Sequence, residues 1–186
     1  MKAFEVPDKG RTVSEEQGEV LVPMGPEHLN CTLEWLADPA LRRLIDCLHA
    51  PGREENEQYW RRRWEDERRK CFAVLDTSGR HVGNCGLSDI DLDRGKAELW
   101  IYLGDRRRNG IGSRAVAKLL GYAFEHLGLR RVSVRVLAVN IDGLCFFKAM
   151  GFIEEGRWRE DTVHEGKAVD SLWLSLLAGE YRRKKT

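Results

Sequence analysis

At 186 residues, with 42% apolar content and a formal net charge of +1, the chain is long enough for one domain with a real core. Its 31 Lys and Arg against 30 Asp and Glu give no global field toward nucleic acid or a membrane surface, and no apolar run approaches the ~20 residues of a membrane span. The five cysteines form no C-x-x-C pair and the five histidines no H-x-x-x-H pair, so neither a disulfide framework nor a metal is expected.

Residues 1–18 are polar, without a hydrophobic signal region, and read as a loosely held extension of a cytoplasmic protein. A short strand is expected at 19–22. Pro26 suits the first position of a helix whose Leu29, Leu33 and Leu36 share a face, and Asp38-Pro39 interrupts it. Leu41, Leu44, Ile45 and Leu48 then predict a second amphipathic helix, closed by Pro51-Gly52. The stretch 57–70 places Trp60 and Trp64 four apart among arginines, with Glu65, Asp66 and Glu67 offsetting much of the charge. It reads as a surface helix anchored by two tryptophans, although a nucleic-acid or membrane helix has a similar composition.

Strands at 71–75, 80–90 and 96–103 are joined by short turns rich in Asp and Gly, which requires an antiparallel meander. Val116, Leu119, Leu120, Ala123 and Leu127 recur at helical spacing after Ser113, and Gly128 suits the C-cap. Val132, Val134 and Val136 alternate with Ser133 and Arg135, a strand half-facing a core; the strand-helix-strand order makes it parallel to its neighbour. Asp142 is expected to cap a short helix through Leu144, Phe147 and Met150, ended by Gly151. Stretches 152–162 and 167–176 flank His164-Glu165-Gly166 as a hairpin, and the basic run 181–186 reads as a solvated tail. The fold class is α/β (α+β): one domain over 19–180, with a mixed, mostly antiparallel central sheet and helices on both faces.

Between the strand at 96–103 and its following helix lies Arg107-Arg108-Asn109-Gly110-Ile111-Gly112-Ser113. Backbone N–H groups at a helix start, the positive end of the macrodipole and adjacent arginines make an anion site, and glycine lets a phosphate approach the backbone. By itself the segment reads equally as a glycine turn entering an ordinary helix. It contains neither G-x-G-x-x-G nor Gly-Lys-Ser/Thr, so it is not a Rossmann or Walker loop.

Three blocks in order resemble the GNAT superfamily of acyl-CoA-dependent N-acetyltransferases. Arg107-x-x-Gly110-x-Gly112 is similar to its pyrophosphate loop; Val139-Asn140 followed by Lys148-Ala149-Met150-Gly151-Phe152 is similar to its second CoA motif. Trp35-x-x-Asp38-Pro39, with Gly156 and the closing hairpin to Asp170, resembles the branch of ribosomal-protein alanine, spermidine and UDP-amino-sugar acetyltransferases. Two positions depart: Gly104 stands where a proline is common before the loop, and Phe147 where a tyrosine general acid is frequent. The resemblance implies acetyl-CoA as co-substrate in a gap between two splayed strands. Backbone at Trp100, Ile101 and Tyr102 would hold the pantetheine arm. Arg107, Arg108, Asn109, Gly110, Ile111, Gly112 and Ser113 would wrap the pyrophosphate, with Asn140 and Phe147 near the thioester end.

The residues themselves add a catalytic pair. Glu98, Trp100 and Tyr102 share a face of a regular strand, so an apolar neighbour would raise the carboxyl pKa toward that of a working base. An ion pair between Glu98 and a cross-strand Arg or Lys is the alternative. In the placement the resemblance implies, a backbone N–H near Tyr102 would polarise the thioester carbonyl, and the departing thiolate would take its proton from water, Tyr102 or the ammonium formed during transfer. The expected activity is transfer of acetyl to a primary amine by direct attack in a ternary complex; an acyl-cysteine route through Cys145 lacks a neighbouring histidine. A protein N-terminus, a polyamine and an amino sugar all stay open as acceptors, as does a homodimer. The Asp89, Asp91, Asp93 series would suit a polyamine, and the arginine-rich helix an anionic acceptor. The rival functions are a non-catalytic CoA-binding regulatory module and a nucleic-acid-associated protein using the helix at 57–70.

Overall fold

The computed structural model describes residues 20–47, 49–104, 110–164 and 166–185. The expected N-terminal extension, Leu48, Arg107, Arg108, Asn109 and Glu165 lie outside the described residues. Seven strands form one sheet: β1 (Val20–Pro23), β2 (Lys70–Leu75), β3 (His81–Asp91), β4 (Lys96–Leu103), β5 (Arg131–Leu137), β6 (Ile153–His164) and β7 (Lys167–Leu177). Their order is β1-β2-β3-β4-β5-β7-β6. Every neighbouring pair is antiparallel except β4 and β5, as the strand-helix-strand order requires.

The meander turns are set by side chains. Asp76 accepts from the backbone N–H groups of Ser78 and Arg80, both at 3.0 Å, and Asp91 accepts from that of Arg94 at 2.8 Å. With the Ser78 hydroxyl donating to it as well, the Asp76 carboxyl falls to about 2.

Helices cover both faces. On one lie α1 (Leu29–Leu36), α2 (Pro39–Arg42) and α3 (Arg53–Glu65); on the other, α4 (Ile111–Gly121), which continues as a π-helical turn over Tyr122–His126. Val116 and Leu119 of α4 are fully buried against Ala97 and Leu99 of β4 and Val132 of β5, forming the main core. The chain closes with α5 (Ile141–Met150), after β5, and α6 (Ala178–Lys185), after β7. In α6 the basic side chains 182–184 are exposed, whereas Tyr181 is buried beside Phe124 and donates to Glu125 Oε1 at 2.8 Å.

Three expected elements differ. The second amphipathic helix is only α2: Asp38 caps it through Ala40 N–H at 2.8 Å, and beyond Arg43 the chain turns, with Asp46 at φ 56°. That positive φ is sustained by long-range partners: Asp46 takes Arg135 at 2.8 Å and Thr162 at 2.7 Å. The arginine-rich helix begins earlier and ends earlier than 57–70. Glu54 and Glu55 sit in its first turn, where the dipole favours them, and beyond Glu65 Asp66 accepts from Arg68 N–H at 2.9 Å and turns the chain toward β2. The cap of α5 is Asn140, not Asp142, since its Oδ1 accepts from Gly143 N–H at 2.9 Å.

Candidate active site

The site begins where the sheet opens. Strands β4 and β5 are paired only at residues 96–98 against 131–133. From Leu99 onward β4 is paired to β3 alone, and from Val134 onward β5 is paired to β7 alone. Backbone groups of 99–103 on the β5 side therefore meet no ladder partner there, a fork able to receive an extended amide-bearing chain.

At the far end of β4, Gly104 lies flat against the Trp35 indole, and a Cβ there would fall inside that ring. No proline or other side chain fits, which accounts for the departure at this position. The start of α4 is capped by Gly110 in the left-handed region (φ 78°), a conformation that favours glycine, with no side-chain cap. First-turn N–H groups of a helix point outward without intrahelical acceptors, so this end suits an anion. A Cβ on Gly112 would meet Leu103 and Phe146 at ordinary contact distance, 3.4 and 3.8 Å, so packing alone does not require glycine there.

Below the fork, α3 crosses β4. Trp60 is 2% exposed and packs on Trp100 with ring centroids 5.9 Å apart, while Trp64 is half-buried beside them; the two tryptophans anchor the helix. A cavity of about 940 Å³ lies between α3, β4, β5 and the chain at 44–49. Glu98, Trp100, Ile101, Tyr102, Asn140 and Phe147, all singled out from the sequence, line it together.

Glu98 is half-buried and forms no hydrogen bond or ion pair among the described residues, so the expected alternative of a cross-strand salt bridge is absent there. Burial raises its carboxyl pKa. Arg135 on β5 and Arg69 and Arg63 from the α3 side pull it down, and Asp89 on β3 pushes it up. Tyr102 presents its ring to the cavity, but its hydroxyl accepts from Asn84 Nδ2 at 2.8 Å. Asn84 is fully buried; it also donates to Thr32 Oγ1 at 2.9 Å and contacts His81 Nε2 through Oδ1 at 2.8 Å. His81 Nε2 faces a second acceptor as well, Gly83 O at 3.0 Å, which places the ring proton on that nitrogen. Enclosure pushes the Tyr102 hydroxyl well above its ordinary pKa.

Asn140 has both ends of its carboxamide engaged, because Nδ2 donates to Leu44 O at 3.2 Å while Oδ1 caps α5. Phe147 is 6% exposed between Phe146 and Phe152, with centroids at 5.0 and 5.3 Å. Sequence reasoning did not single out Asn84, Arg63 or Asp46. Arg63 owes its place to Trp100 of β4 as well as to Tyr59 and Trp60 of its own helix, and Asn84 and Asp46 owe theirs to partners in other elements, for Asp46 89 and 116 residues away.

A family model for the GNAT acetyltransferase domain matches residues 20–153. The chain belongs to that family. The acetyltransferase is 30% identical over 118 residues to the uncharacterized N-acetyltransferase p20 of Bacillus licheniformis, a match spanning 63% of this chain and 66% of that one. It is 31% identical over 148 residues to an N-acetyltransferase 9-like protein of Caenorhabditis briggsae, spanning 72% and 73%. Its fold matches the crystal structure of spermidine N-acetyltransferase from Vibrio cholerae in complex with CoA and spermine. That match has a TM-score of 0.83 at 19% identity, over 90% of this chain and 99% of that one. The acetyltransferase is thus acetyl-CoA-dependent and acts on nitrogen, with a mixed α/β sheet as the resemblance implied. No helix among the described residues is long and apolar enough to cross a membrane.

Proposed function

We propose that this acetyltransferase transfers acetyl from acetyl-CoA directly to a primary amine held in the cavity beneath the β4–β5 fork, with Glu98 as the general base. The observation that carries this reading is a half-buried carboxylate without a salt-bridge partner, lining the same cavity as the open edge of β4. Residues 99–103 would hold the donor's extended arm. Gly110, Ile111, Gly112 and Ser113 would supply its phosphates with the start of α4, and Arg107, Arg108 and Asn109, which precede them in the sequence, would add to the same contact. Asn140 and Phe147 would wall the thioester end, the first by fixing α5 and the chain at Leu44.

The reaction forms one C–N bond and breaks one C–S bond; the nitrogen loses a proton and the sulfur gains one. Before that exchange Glu98 takes one proton from the incoming ammonium and passes it to solvent, leaving the neutral amine to attack, and its raised pKa brings it nearer the working pH. Phe147 has no proton to give. Tyr102 keeps its own at neutral pH, and because a thiol titrates near ~8.5, full transfer from this tyrosine to a thiolate would run uphill. Its role is therefore hydrogen-bond donation, and the proton released by the nitrogen balances the sulfur.

The test is thiol release from acetyl-CoA against a panel of amines, for the wild type and Glu98→Gln. Turnover that collapses in the variant while acetyl-CoA still binds supports the reading. Binding of CoA without turnover of any amine favours a regulatory module.

A further inference from the structure

The described lining of the cavity carries four carboxylates and four arginines, but they do not all pair with one another. Among its lining carboxylates, Asp46 is tied to Arg135 at 2.8 Å, Asp66 to Arg69 at 2.8 Å and Glu55 to His49 at 2.8 Å. Among the described lining residues Glu98 is the carboxylate with neither a hydrogen-bonding nor an ion-pair partner; His49 is a cation for Glu55 only when protonated. On the cationic side Arg63 is left over. Its guanidinium lies 4.6 Å from the Tyr59 ring centroid, 5.8 Å from that of Trp100 and 5.9 Å from that of Trp60. It meets no carboxylate within salt-bridge distance among the described residues, and its Nε is buried without an acceptor. The indole Nε1 groups of Trp60 and Trp100 are likewise buried and without acceptors. The same wall thus carries three donors without acceptors and a cation packed over aromatic rings.

An unpaired buried donor is destabilising, and an acceptor atom that reaches it removes that cost. A guanidinium already packed over rings loses less freedom on taking an oxyanion in its two-pronged geometry. Trp100, which this group packs over, lies two residues on from Glu98 on the same face of β4, and the Arg63 charge reaches the Glu98 carboxyl. The cavity therefore offers a carboxylate without an ion-pair partner to an amine and a guanidinium without one to an anion. A polyamine would bring further ammonium groups to Arg63 and to the exposed Arg62 and would find no second unpaired carboxylate among the described lining residues.

From this we infer that the acceptor is an amine carrying an oxyanion on the same molecule, a carboxylate or a phosphate, and that Arg63 is the residue that selects it. The inference rests on the reading of Glu98 as the amine's partner and adds what the other end of the acceptor must be.

The test compares kcat/KM within matched acceptor pairs that differ only in the anion. The pairs are alanine and alaninamide, an alanyl-aspartyl and an alanyl-asparaginyl dipeptide amide, and a phosphorylated and an unphosphorylated amino sugar, with spermidine alongside. In at least one pair the anionic member is expected to be favoured by about tenfold or more, equivalent to about 1.4 kcal/mol. Which pair responds tells an amino-acid carboxylate from a side-chain carboxylate or a phosphate. Arg63→Gln is expected to abolish that preference through KM, with the KM for acetyl-CoA unchanged, and Arg63→Lys to restore only part of it. Turnover in which neutral members or spermidine equal or exceed every anionic partner overturns the inference while leaving the amine reading intact. Silence toward every amine overturns both. Because the wild-type ratios decide the matter, misfolding of a variant does not rescue the inference.

Discussion

On one side of β4, Ala97 and Leu99 are sealed against α4 at 3% and 0% exposure, among side chains that are apolar throughout. On the other side Glu98, Trp100 and Tyr102 stand half-buried under α1 and α3, among groups with unsatisfied hydrogen-bonding capacity. The two faces belong to one eight-residue strand and differ by a single step of its period. The first face stabilises by removing apolar surface from water. The second gives up part of that gain: Trp60, Trp64 and Trp100 bury their rings but leave their N–H groups without acceptors, and Glu98 is held where its charge is costly. Stability and reactivity are thus divided across the strand, and substitutions on either side should separate them.

The largest effect expected is on the reactive face. Glu98→Gln should lower kcat by roughly 10²–10⁴, the usual size of a general-base contribution, and remove the acidic limb of the kcat/KM profile. The sign for stability is opposite. Glu98 has a folded pKa raised by burial, so its ionisation disfavours the folded state as pH rises from the unfolded pKa through the folded one and at all higher pH. The glutamine variant should therefore melt no earlier than wild type at neutral pH. A variant that keeps turnover and melts early would make Glu98 scaffolding.

Trp60→Ala tests where the boundary between the two regimes lies, since its ring is core and its N–H faces no acceptor. Loss of a buried large aromatic should cost about 3–5 kcal/mol in a denaturant melt, larger than any direct effect on acceptor KM. A small stability loss with a raised acceptor KM would move Trp60 wholly to the ligand side. On the apolar face, Leu99→Ala should cost about 2–5 kcal/mol while the folded fraction keeps both KM values, because no atom of that side chain belongs to the cavity. The smallest effect is at the rim: Asn140→Ala removes the cap of α5 and should cost about 0.5–2 kcal/mol. Releasing the chain at Leu44 should also raise the acceptor KM more than that of acetyl-CoA, a split that kinetics on both substrates would read.

Much of this arrangement is legible in the residues taken alone. The alternation of β4 and β5 assigns each side chain to a face, because side chains two residues apart on a strand share one. The Asp-rich turns force a meander, and the order strand, helix, strand forces the one parallel pair, where the sheet splits. The same local reasoning failed wherever a distant partner decided the outcome. Asp142 had the composition of a cap, but Asn140 took the position, with its other amide end held by Leu44 O, 96 residues away in the chain. The apolar spacing at 41–48 predicted a helix, but Arg135 and Thr162 hold Asp46 in a backbone conformation no helix contains. Gly104 looks like a lapse from the family pattern until the Trp35 indole is seen against it.

What the sequence by itself determined, then, is the order of the elements, the face on which each residue of β4 lies, and the family to which its motifs belong. These depend on spacings of two to four residues, and such spacings act wherever the chain goes. What only the tertiary structure decided is which polar groups at the site are already engaged and which are not. Asn84 holds Tyr102, His49 holds Glu55, and Arg135 holds Asp46, while Glu98 and Arg63 have no charged partner among the described residues. A side chain's availability is set by the company that other elements bring to it through space, and the order of residues along the chain does not encode that company locally.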